Sequence, residues 1–179
     1  MAIITANMMI RSLALFHLTL AALLINNPKV IANQSVIMVL GGSMQLPTPR
    51  DFATPSAAVA FIAVLFAFIG INDLTAGSLA EEVFDEYWGA QAPVRLVFLF
   101  ALTGYTFLFK EGGIFGGARG IAYSKSPSSY LKNSVVFSWG FIELSMWFWI
   151  YITLREERRE RLNKVIEKRN AEAEKNIGR

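Results

Sequence analysis

The sequence predicts an all-α membrane protein: a four-span transmembrane helical bundle with one or two interfacial amphipathic helices. Three observations predict it. The 179 residues are 54% hydrophobic with a mean hydropathy of +0.40, more apolar surface than a water-facing domain of this size carries. Four apolar runs approach or reach the roughly 17–25 residues that cross a bilayer. The charges are segregated, with nine Lys/Arg and six Glu after Leu154, dividing the chain into a transmembrane bundle over 1–154 and a charged cytosolic helical tail over 155–179.

The first run, about 3–25, contains Arg11 and His17. An arginine before an apolar stretch is also the opening of a signal peptide. Here no small-x-small cleavage site follows, only "INNPKV", and the run reads as a retained helix. Residues 30–40 are apolar but too short to span, and Gly41-Gly42, Pro47 and Pro49 end them. They are expected to form an interfacial or re-entrant helix, with a fifth span as the alternative. The second span is expected over 55–73.

Next comes "SLAEEVFDEYWG" (78–89). Ser78 and Glu81 have capping-box spacing, and Gly89 suits the position after a helix. Leu79, Val83, Phe84, Tyr87 and Trp88 share one face, with Glu81, Glu82, Asp85 and Glu86 off it. This predicts a short surface helix whose acidic polar face suits a protein partner better than anionic lipid, with Leu79, Val83, Tyr87 and Trp88 as the docking side chains. A plain solvated face is the alternative.

The third span, 94–109, is short. The glycines of "EGGIFGGARGIAYSKSPSSYLKN" match no phosphate-binding loop, and the segment is expected to be a mobile connection. The fourth span, 134–154, ends at an abrupt switch to charge. About 20 residues at 1.5 Å each match a core of about 30 Å, so the switch is the membrane boundary. Glu157/Arg161 and Glu160/Lys164 are favourable i,i+4 pairs, so the helix is expected to continue to about Ala173. Its stripe of Leu162, Val165 and Ile166 is too narrow for a coiled coil. The basic tail places both termini in the cytosol. Lys110, Arg119, Lys125 and Lys132 on the opposite side argue against that orientation but are fewer and more dispersed.

Four charges lie in or at spans, each costing roughly 2.5–3.5 kcal/mol at the bilayer centre on insertion scales. Asp73 ends the second span and Arg95 begins the third, at one membrane face and each with the wrong sign for its helix end. Mutual pairing relieves both; an ion or headgroup site is the alternative. Glu143 is near the midplane with Trp139 and Trp147 at i−4 and i+4. Arg11 is the one basic residue deep in another span, so a Glu143–Arg11 pair is expected, with proton or ion relay as the alternative.

No chemistry beyond this is indicated. With no cysteine and one histidine, thiolate catalysis, disulfides and a metal cluster built on them are excluded. No catalytic residue, cofactor site or metal site is assigned. The basic tail carries no nucleic-acid recognition pattern.

"GINDL" (70–74), "APVRL" (92–96) and "FIELSMWFWIYITLREER" (141–158), in this order and spacing, resemble the fungal "increased loss of mitochondrial DNA" family of small multi-pass membrane proteins. The matching positions are Asp73, Arg95, Glu143, Trp147 and Arg155-Glu156-Glu157. The resemblance implies an endoplasmic reticulum membrane protein with a link to mitochondrial DNA maintenance and no established catalytic activity; it assigns these residues no role. The short basic tail departs from the longer, more acidic tails of the family. The expected function is thus a non-catalytic accessory or assembly subunit of a larger membrane complex. A small transporter or ion-flux regulator using Glu143 and Arg11, and a lipid-handling membrane enzyme, are the alternatives.

Overall fold

The computed structural model describes residues 4–49, 52, 54–115 and 127–177, the last three by backbone alone. Arg50, Asp51, Arg119 and Lys125, and with the latter two the middle of the connection expected to be mobile (116–126), lie outside the described residues. All regular structure among the described residues is helical, and four helices are long and apolar enough to cross a membrane.

Helix α1 is Ala6–Asn26, opened by Thr5, whose hydroxyl accepts from the Met8 amide. Two short helices follow, α2 (Lys29–Ala32) and α3 (Ser35–Ser43). Helix α3 rises about 13 Å, less than half a bilayer core, so the segment is not a fifth span. It packs against the start of the last helix, where Gly41 faces Ser134 so closely that an added Cβ would lie 2.4 Å from the Ser134 Cβ.

Helix α4 is Ala57–Ala76, capped by the Ser56 hydroxyl on the Val59 amide. Helix α5 is Glu81–Leu108, and α6 runs unbroken from Ser134 to Ile177. Antiparallel pairs α1–α4 and α5–α6 make an up-down-up-down bundle, joined through α1–α6 contacts. One end gathers Ala6, Gly77 and the tail side of α6; the other gathers α2, α3 and the start of α6.

The α1–α4 crossing depends on Gly70. A Cβ there would stand 2.9 Å from the Ala14 carbonyl oxygen and 2.9 Å from Leu18 Cγ. The backbone oxygen cannot swing away, so Gly70→Val forces the helices apart. The expected result is a loss of about 1–3 kcal/mol, read as a lower Tm in detergent. An unchanged Tm would contradict this packing.

The separate surface helix expected over 78–89 does not exist: it and the third span are one helix, α5. Ser78 does not cap, since its hydroxyl donates to the Leu74 carbonyl and Ala80 occupies the N-cap. Gly89 and Pro93 lie within the helix. A proline inside a helix costs about 3 kcal/mol, which burial offsets: Phe84, Trp88, Ala92 and Leu99 form one buried stripe against α6, with Trp88 and Ala92 fully inaccessible. Tertiary packing overrides the local stop signal.

Two apolar cores result. One joins Ile10, Leu13, Trp88, Trp147 and Ile150 toward the tail end. The other joins Leu24, Ile37, Val59 and Val135 toward α2 and α3. His17 and Glu143, both buried, lie between them.

Candidate functional site: a polar chain across four helices

The buried polar residues form one connected series. Asp73, on α4 and 1% exposed, accepts two hydrogen bonds from Arg95 on α5. Nη1 donates to Oδ2 and Nη2 to Oδ1, each at 2.7 Å, a bidentate fork. The Arg95 guanidinium lies over the rings of Trp147 (4.5 Å) and Trp88 (5.2 Å), which themselves stack at 5.5 Å. The Trp147 indole N–H, on α6, donates to Glu143 Oε2 at 3.1 Å. The other Glu143 oxygen lies 2.7 Å from His17 Nε2 on α1, a close polar contact without the alignment of an N–H···O hydrogen bond. His17 stacks on Phe66 of α4 at 5.7 Å, and Phe66 meets the edge of Trp139.

Each transmembrane helix thus contributes a member. The local reasons are simple. Glu143 and Trp147 are one helical turn apart on one face. Asp73 lies in the last turn of α4, and Arg95, midway along α5, reaches it with its long side chain. In an antiparallel α1–α6 pair, the residue of α1 level with Glu143 is His17.

Arg11 therefore does not meet Glu143. It lies six residues, about 9 Å, toward the tail end from His17. Its side chain is exposed, and Nη2 donates to the Gly77 carbonyl at 3.1 Å, where Asn7 Nδ2 also donates at 2.8 Å. A cation closing the C-terminal end of α4 is well placed in that helix's dipole. Sequence reasoning missed His17 as the partner because it ranked formal charge above register.

The four docking side chains are split. Leu79 and Val83 are exposed, Tyr87 packs partly into the core, and Trp88 is fully buried. Trp88 is a core residue because α5 continues past Gly89 and turns it toward Trp147. Beyond it, Arg161 of α6 grips the acidic start of α5, with Nη1 donating to Glu81 Oε1 at 2.9 Å and Nη2 to Asp85 Oδ1 at 2.6 Å. Glu157 accepts from the Ala6 amide at 3.0 Å.

The arrangement satisfies charge within the chain. Among the described residues no three His, Cys, Asp or Glu side chains converge as metal ligands. An apolar cavity of about 640 Å³ opens beside Phe66, Trp139 and Val135, with Gln34 and Thr19 its main polar lining, so no reactive group converges there. The polar chain has the form of a clamp.

Fold and site together define a small polytopic helical membrane protein whose intramembrane charges are paired internally. Residues 4–164 match the family model described as "Increased loss of mitochondrial DNA protein 1", and the chain belongs to that family. It is 26% identical over 152 residues to "Protein ilm1" of Schizosaccharomyces pombe, covering 83% of this chain and 82% of that protein. It is 27% identical over 150 residues to "Protein ILM1" of Saccharomyces cerevisiae, covering 84% of this chain and 64% of that longer protein. Neither relative is named as an enzyme. No solved structure matches significantly.

Proposed function

We propose that this protein is a non-catalytic accessory or assembly subunit of a larger membrane complex in the endoplasmic reticulum, with both termini cytosolic. The family name supplies the link to mitochondrial DNA maintenance, which an assembly role in another membrane serves indirectly.

One observation carries the subunit reading. Helix α6 continues without a break well past the end of its apolar run, and Arg161 ties it to Glu81 and Asp85 of α5. Beyond that tie Leu162, Val165 and Ile166 are exposed at 57%, 50% and 55% on a rigid extension. A solvated helix with no need to bury these residues would carry polar ones there, and an apolar strip on an anchored helix is a docking surface for a partner helix. Leu79, just before α5, and Val83 in its first turn are exposed as well.

The test replaces Leu162, Val165 and Ile166 by Asp together. The four spans remain inserted and the Tm in detergent is retained, because none of the three touches the bundle core. Capture of partner chains by a tagged copy in mild detergent falls about tenfold or more. Undiminished capture would remove the tail as the docking element. Orientation is checked separately by protease treatment of intact microsomes. A C-terminal tag is expected to be digested, and a protected tag would invert the topology.

A further inference from the structure

We infer that the recess between α5 and α6 at the tail-side membrane boundary binds the phosphate of an anionic phospholipid. A recess of about 300 Å³ lies there, floored by Gly89 and Pro93 of α5 and walled by Tyr151, Leu154, Arg155 and Arg158 of α6. Its depth is set by the sequence: Leu154 is the last apolar residue before the charged tail, and Val94 and Val97, both exposed, begin the apolar face of α5 just past Pro93. The recess therefore stands where headgroups meet hydrocarbon, with acyl-chain surface beneath it.

The charges in and around it are unequal. Asp85 also lines the recess, but it is engaged by Arg161 at 2.6 Å, a guanidinium it shares with Glu81. Among the described residues Arg155 and Arg158 have no carboxylate partner. Arg155 lies over the Tyr151 ring at 5.7 Å. Arg158 folds back toward α5, its Nη1 within 3.9 Å of where a Gly89 Cβ would be. Two guanidiniums one helical turn apart, converging over a recess that a glycine leaves open, present a fork of donors to a phosphate. Glu81, Glu82 and Glu86 on the same end of α5 oppose a diffuse attraction of anionic lipid, so binding rests on the two guanidiniums at the recess.

Three probes are added to the purified full chain in neutral detergent: phosphatidic acid, phosphatidylcholine and inorganic phosphate. Binding is read by native mass spectrometry and by the rise in Tm. The wild-type chain is expected to retain one phosphatidic acid and to be stabilised by it, with phosphatidylcholine and inorganic phosphate far weaker. Arg155→Gln/Arg158→Gln is expected to bind phosphatidic acid roughly 10- to 30-fold more weakly. Gly89→Leu, which fills the recess without changing charge and removes a glycine from a helix interior, is expected to lose binding while keeping the fold. Lys168→Gln/Arg169→Gln, further along the tail, is expected to bind as wild type. Equal binding by the Gly89→Leu variant, or an equal loss in Lys168→Gln/Arg169→Gln, would show diffuse tail charge and overturn the site. An equal response to inorganic phosphate would overturn the lipid assignment.

Discussion

Replacing Arg95 by Met is expected to lower the stability of the detergent-solubilised chain by about 3–5 kcal/mol, because it leaves Asp73 charged, almost fully buried and unpaired. Asp73→Leu, the mirror removal, is expected to cost a similar amount by leaving Arg95 without its acceptor. The Asp73→Leu/Arg95→Met double is expected to recover most of the loss, since an apolar pair in place of an ion pair is close to neutral. Arg95→Lys is expected to fall between wild type and Met: it keeps the charge but loses the two-pronged donation to Asp73 and the flat stacking on Trp88 and Trp147. Thermal unfolding of the four variants checks this. Additive losses in the double, or full rescue by lysine, would show that the bidentate geometry is not what holds α4 to α5.

The second large effect is at Glu143. Glu143→Leu removes the acceptor of the Trp147 indole and the counter-group of His17 in one step, both in the buried layer between the two cores. The expected loss is about 2–5 kcal/mol, because the buried indole N–H and the imidazole are both left without their acceptor. Glu143→Gln keeps a carbonyl oxygen for the indole N–H and is expected to lose less. The cycle that distinguishes the partners uses His17→Leu and Arg11→Met, each combined with Glu143→Leu. Coupling with His17 is expected to be large, and coupling with Arg11 close to zero, because Arg11 is spent on the Gly77 carbonyl. Coupling with Arg11 alone would contradict the register of α1 against α6.

These two results bear on the same object. Trp147 touches both ends of it, stacking under Arg95 and donating to Glu143, so the Asp73–Arg95 pair and the Glu143–His17 pair are one connected series through α4, α5, α6 and α1. In the low dielectric of the bundle, the hydrogen-bonded part of this series, Asp73–Arg95 and Trp147–Glu143, favours one arrangement of the helices it joins.

The spans and the polar chain were legible to different degrees. The apolar runs could be read because bilayer thickness sets a length that the sequence either has or lacks, as at 57–76 and the first 21 residues of α6. Asp73 and Arg95 could be paired because they are opposite charges at facing ends of two consecutive apolar runs, although α5 starts at Glu81 and Arg95 lies midway along it. The partner of Glu143 could not be read in the same way. Depth in a span follows from counting residues, but the helix that lies alongside, and its register, follow from packing. Arg11 carries the stronger charge, yet His17 is at the right level. The Glu143–Trp147 spacing of one turn did carry the signal for an indole donor. Gly89 misled because a local stop signal competes with burial of Trp88 and Ala92, and the core won. With α5 continuous, the docking face expected on 78–89 reduces to Leu79 and Val83, and the more extensive exposed strip lies on the tail of α6.

The central claim is that this chain works as a part of something larger. The most direct measurement is its mass in mild detergent, by size-exclusion chromatography with light scattering on material purified through a tag at the native expression level. The account predicts a complex well above the 19.9 kDa of the single chain, containing other polypeptides that leave when Leu162, Val165 and Ile166 are replaced by Asp. A monodisperse lone monomer, unchanged by those substitutions, would contradict it.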